Sequence, residues 1–219
     1  MSSIGLTVPL TDFLPEVMQY VPDVPEFVAL NSLRNAAIEF CEKTRVIQVD
    51  IDPITLQDNK ASYIIQTPPD MKFVDLVEAY IGDRLIIPKS SEELARIYRA
   101  TDWRSLKGST AYITRVVYPE IQLVPYLETV TDEILRIRAS LAPTRDATEV
   151  PESLYQEFVE QISYGARGRL YGTPKQSYTD KTMAREYLMM FRSAVGEVKT
   201  RVNRGLTRAS GSIEFQRVI

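Results

Sequence analysis

Apolar residues recur at three- and four-residue spacing through residues 20–44. Phe27, Leu30, Leu33, Ala37, Phe40 and Cys41 share one face of a predicted long helix, and Asn31, Arg34, Asn35, Glu39 and Glu42 fall mostly on the other. Pro25 stands at the first turn, where its missing N–H costs nothing, and Pro22 ends a short helix predicted over 12–21. After Thr44 the period drops to two. Ile47, Val49 and Ile51 alternate with Gln48, Asp50 and Asp52, which predicts a strand over 46–52. Residues 57–60 read as a turn, and 61–66 as a second strand closing a hairpin with the first.

The alternation resumes downstream. Residues 73–81 and 84–87 read as a hairpin about Gly82 and Asp83. Ser90 and Glu93 form a capping box for a helix over 91–99. Residues 112–117 and 121–124 make another hairpin, and 134–141 a half-buried strand. Two long helices follow. The first starts after Pro151 with Leu154, Tyr155, Phe158, Val159, Ile162, Ala166 and Leu170 on one stripe. Gly165 and Gly168 interrupt it, which implies that another backbone packs closely there, since each glycine costs about 1 kcal/mol against alanine. The second runs from Lys181, capped by Asp180, to Gly205, with Ala184, Tyr187, Leu188, Phe191, Val195, Val198 and Val202 in its stripe. Residues 207–219 are too short and polar to form a core. The expected architecture is α+β: a helical bundle with long N- and C-terminal helices, an antiparallel β-hairpin sheet inserted over about 46–141, and an extended C-terminal tail. Residues 1–206 form a single domain in this reading, and 207–219 the tail.

The 219 residues include 44% hydrophobic and 25% charged side chains, an ordinary globular balance. No apolar run is long enough to span a bilayer, and the first residues do not read as a secretory signal. Cys41, the single cysteine, lies on the apolar helix face and reads as a small core residue. The net charge of −3 does not advertise nucleic-acid binding. From Lys199 onward, however, Lys199, Arg201, Arg204, Arg208 and Arg217 face only Glu214. Two readings fit: a tail that docks on an acidic surface, or cations complementing the helix dipole.

Chemistry is scarce. Histidine is absent, which removes the usual general base and the commonest metal ligand. Asp50 and Asp52 project from one strand face and could hold a divalent metal, against the plainer reading of a solvated sheet face. Gly165-Ala166-Arg167-Gly168 falls inside a helix and lacks phosphate-loop spacing. No catalytic motif emerges, no cofactor is implied, and the chain does not read as an enzyme.

Four phrases, in order, resemble the adaptor (head-to-tail connector, head-completion) family of tailed bacteriophages. They are residues 20–44, the DPITL of 52–56, the PTRDAT of 143–148 with the helix start after it, and the Arg-rich helix 184–205. The resemblance implies a virion protein of the neck, assembled in the host cytoplasm. It implies a ring of twelve subunits beneath the portal that prolongs the DNA channel and meets the tail nozzle or a stopper. The partners would be the portal protein, the tail protein, further copies of itself, and genomic DNA passing without specific binding; no membrane is involved. In this picture Arg208, Ile213, Phe215 and Arg217 dock on the portal, and Arg34, Glu39, Arg192 and Arg201 are candidates for contacts between subunits. The alternative is a metal-dependent nucleic-acid enzyme or nucleic-acid-binding module using Asp50 and Asp52.

Overall fold

The computed structural model describes residues 5–99, 101–130 and 133–205. The predicted tail residues Arg208, Ile213, Phe215 and Arg217 lie outside these. The chain opens with β1 (Thr7–Pro9), a 3-10 turn at Leu10–Phe13 and the short α1 (Leu14–Met18). The long α2 (Glu26–Thr44) follows, with Pro25 just before it in extended conformation. Then come β2 (Gln48–Asp50), β3 (Ile54–Thr55), β4 (Ser62–Ile64), β5 (Met71–Ile81), β6 (Arg84–Pro88), α3 (Ser91–Tyr98), β7 (Tyr112–Val117), β8 (Glu120–Val124), β9 (Ile134–Pro143) and β10 (Glu149–Pro151). The helices α4 (Glu152–Tyr171) and α5 (Lys181–Asn203) close the sequence of elements.

The expected bundle with a hairpin sheet is not what forms. Among the described residues the chain builds a large curled sheet of eight strands, ordered β2-β9-β5-β6-β7-β8-β4, with β3 also paired to β9. It is mixed rather than purely antiparallel, because β6 and β7 run parallel. The helices are a layer on this sheet, with α2 packed against β9 on one side and α4 and α5 on the other. The predicted hairpin of 46–52 with 61–66 does not exist. β2 pairs β9, and β4 pairs β8 at the far end of the sheet. The reason is burial. Leu135, Ile137, Ala139 and Leu141 make one face of β9 wholly buried, so β9, one strand in from the end of the sheet, takes β2 and β3 along one edge and β5 along the other. Tyr63 and Ile65 find their own burial near β8 instead. The Tyr63 hydroxyl accepts from the Gln57 amide at 3.0 Å, which holds the intervening loop.

The local signals that depend on neighbouring residues hold. β5 and β6 form the hairpin about Gly82, and β7 and β8 form theirs. The capping box at α3 is complete, with Ser90 Oγ accepting from the Glu93 amide and the Glu93 carboxylate accepting from the Ser90 amide. Asp180 caps α5 by accepting from the Thr182 and Met183 amides. On α2, Leu33, Ala37, Phe40 and Cys41 are buried as the periodicity requires. Phe27 is not; it is 68% exposed at the start of the helix, one turn before the neighbouring layer begins to cover that face. A two-stranded ribbon of β1 and β10, unforeseen from the periodicity, ties the amino-terminal segment to the start of α4.

Candidate functional site: interaction surfaces

The glycines of α4 mark where α5 crosses it. A Cβ on Gly165 would meet the Phe191 ring at 2.9 Å and the Ala36 Cβ at 3.0 Å. One on Gly168 would meet Leu188 Cγ at 2.8 Å and its backbone nitrogen at 3.1 Å. Close approach is therefore the purpose of the glycines. Between them Arg167 is almost wholly buried. Its Nε donates to the Glu16 carbonyl at 2.8 Å, its guanidinium lies 3.8 Å from the Tyr20 ring centroid, and Glu16 Oε2 is 3.6 Å from Nη2. Tyr164 and Tyr187 complete the surround. The Gly-Ala-Arg-Gly sequence is thus a structural knot that pins α1 and the segment after it onto α4 and α5. The hydroxyl of Tyr164 donates to Glu160, and that bond, with burial, raises its pKa to about 12.

Three of the four predicted subunit-contact residues make side-chain bonds within the chain. Arg34 donates from Nε to the Ala147 carbonyl and from Nη1 to Asn31 Oδ1, both at 2.8 Å. Glu39 accepts from Lys43 and from Arg169. Burial alone would raise the Glu39 pKa, but the Lys43 bond and the Arg169 charge outweigh it and lower it. Arg201 lies on exposed α5, 3.4 Å from Glu157 and over the Phe158 ring. Arg192 is exposed and makes no ion pair among the described residues.

The outer side of α5 is open. Met189 is 61% exposed, Met183 and Met190 are exposed as well, and a Cβ on Gly196 would meet nothing within 4 Å. A second apolar surface gathers at the β7–β8 hairpin. Val116, Val117 and Tyr118 are exposed at its tip, and Ile64 is brought beside it by the β4–β8 pairing. Neither surface is visible as a periodicity, because a hairpin tip and an outer helix face carry no spacing that separates them from core.

Asp50 and Asp52 border an open groove of about 890 Å³ on the outer face of the sheet. Arg138 stands opposite Asp50 on one side and Glu78 on the other, so acidic and basic side chains alternate across β2, β9 and β5. Arg136 reaches Asp83 at 3.4 Å on the same face. Among the described residues no group of three or more His, Cys, Asp or Glu side chains is placed to hold a metal ion. The geometry is that of a solvated, charge-alternating sheet face. No helix of the described residues is long and apolar enough to cross a membrane.

Among the described residues the open surfaces are an apolar face of α5, an apolar hairpin tip and a sheet with charged outer rows. The chain belongs to the SU10 adaptor protein family, whose model matches residues 8–213. It is a structural adaptor of a phage virion, a class of protein that is not enzymatic and that contacts other virion components. No curated protein matches the chain significantly.

Proposed function

We propose that the protein forms a ring beneath the portal at the neck of a tailed phage, extends the DNA channel and joins the head to the tail. The observation that carries this reading is the family match across nearly the whole chain. The surfaces support it: α5 presents methionines, Arg192 and an open Gly196 on a face that its own chain leaves uncovered, as a wall between subunits requires. Arg201 extends the same helix. Residues 207–219, with Ile213, Phe215, Arg208 and Arg217, serve as the segment that docks on the portal, basic side chains meeting acidic ones and alternate apolar residues acting as anchors. Deleting 207–219 is expected to leave the fold intact, seen as unchanged circular dichroism and melting, and to abolish attachment to portal-bearing heads. Normal completion of DNA-filled heads by the truncated protein would overturn the docking role. The isolated subunit is expected to bind duplex DNA weakly, because a channel wall must let DNA slide.

A further inference from the structure

The sheet contains a vacated lane. β6 pairs antiparallel with β5 through Ala79↔Ile86 and Ile81↔Arg84, and parallel with β7 through Ile87↔Tyr112 and Pro88↔Ile113. Continuing both registers would set Lys89 between Leu76 and Thr114, and the next residues between β5 and Arg115–Val117. The chain does not continue. Ser90 caps α3 and turns away, so β5 below Ala79 and β7 beyond Ile113 each keep one edge without a strand partner among the described residues. The two edges do not close on each other either. Two adjoining hollows of about 520 and 560 Å³ fill the lane, sharing Val74 and Arg115 in their walls.

The lane is marked by groups that a strand would satisfy. Arg115 reaches across it, its Nη1 donating to the Val74 carbonyl at 2.7 Å, where a backbone amide would otherwise sit. The Thr114 hydroxyl, buried in the wall, has no hydrogen-bond partner among the described residues. β5 and β7 both bulge beside the lane, between Phe73 and Asp75 and between Arg115 and Val117. Charge selects the occupant. Arg45 pairs with Asp75, Lys72 with Glu42 and Lys89 with Glu93, at 2.6, 2.7 and 2.8 Å. Arg115 alone has no carboxylate partner among the described residues, so the lane carries one uncompensated cation.

We propose that this lane receives an extended segment of another virion protein, which adds as a strand between β5 and β7 and places a carboxylate against Arg115. The incoming amide replaces Arg115 at the Val74 carbonyl, and the released guanidinium pairs with the acid. The assignment of the partner to the virion rests on the adaptor reading; the lane itself does not.

The test compares hydrogen exchange of the full-length protein, free and within neck assemblies isolated from disrupted virions. The lane-facing amides of Val74 and Arg115 are expected to slow at least tenfold on assembly, and carbodiimide cross-linking is expected to join Lys72 or Lys89 to an Asp or Glu of a different protein. Arg115→Met, which removes the cation without a carboxylate partner at an exposed position, is expected to melt within a few degrees of the parent and to enter assemblies at least tenfold less well. Unchanged exchange in the lane of assembled protein overturns the inference while leaving the adaptor role standing. A cross-link to Glu214 of a second copy overturns the choice of partner. Absence of the protein from necks overturns both the adaptor reading and the assignment that rests on it.

Discussion

Replacing Gly165 by alanine adds one methyl group at the crossing of α4 and α5. In an isolated helix this change would stabilise by about 1 kcal/mol. Here the new Cβ would stand 2.9 Å from two atoms of the Phe191 ring and 3.0 Å from the Ala36 Cβ. Phe191 is 2% exposed and packs on Phe40 at a centroid distance of 6.3 Å, so the ring has nowhere to go. Forcing extra volume into such a site costs about 1–3 kcal/mol, which exceeds or matches the propensity gain. Net destabilisation of up to about 2 kcal/mol is expected. Gly196 provides the internal standard, because its Cβ would meet nothing within 4 Å. There the propensity term acts alone, and Gly196→Ala is expected to stabilise by up to about 1 kcal/mol. In urea unfolding followed by circular dichroism the two midpoints should move in opposite directions. The melting temperatures should separate by up to roughly 12 °C, at about 2–4 °C per kcal/mol for a chain of this size. Equal stabilisation by both substitutions would show that α5 does not press on Gly165, and the packing account would fail.

Three further outcomes are expected. Arg167→Met keeps most of the bulk but loses the charged hydrogen bonds to Glu16 and the ring contact with Tyr20; unfolding free energy should fall by about 2 kcal/mol, and a change under about 0.5 would show the knot to be unimportant. The Glu93 carboxyl is held at about 2 rather than 4.5 by the bond from Lys89 and those from the Ser90 amide and hydroxyl. A depressed folded-state pKa gives stability that is present above about pH 4.5 and lost as pH falls towards 2, so Glu93→Gln should flatten the melting profile across that window; parallel profiles would refute it. Cys41 is fully buried, and burial, with the neighbouring Glu42 charge, pushes its thiol far up. It should react with Ellman's reagent only after unfolding, and rapid labelling of native protein would contradict the packing.

Legibility followed the range of the interaction. The α3 capping box was readable because Ser90 and Glu93 satisfy each other within one turn, and the β5–β6 hairpin because Gly82 and Asp83 join its strands directly. Cys41 was readable as core from helical spacing alone. The partners of β2 and β4 were not, since an alternating strand of three residues states which face is buried and says nothing about which edge it meets. Arg167 was seen only as part of a failed phosphate-loop pattern, because its burial depends on Glu16 and Tyr20, some 150 residues away in sequence. Phe27 shows the converse: it continues the apolar period of α2 but stands beyond the layer that would bury it. The predicted contacts of Arg34 and Glu39 were likewise placed on a face by spacing, while tertiary packing supplied each with bonds inside the chain.

By itself the sequence determined the local elements, the single buried thiol, the scarcity of catalytic chemistry and, through its wording, the adaptor family. Periodicity and capping are set by residues a few positions apart, and so they survive reading along a line. Only the tertiary structure decided that β9 takes β2, β3 and β5 as partners in a curled eight-stranded sheet, that α5 leaves its methionine face open, and that β6 vacates a lane between β5 and β7. Those features arise where distant segments compete for the same buried surface, and the outcome depends on which pairings together bury the most apolar area with the fewest unpaired backbone groups.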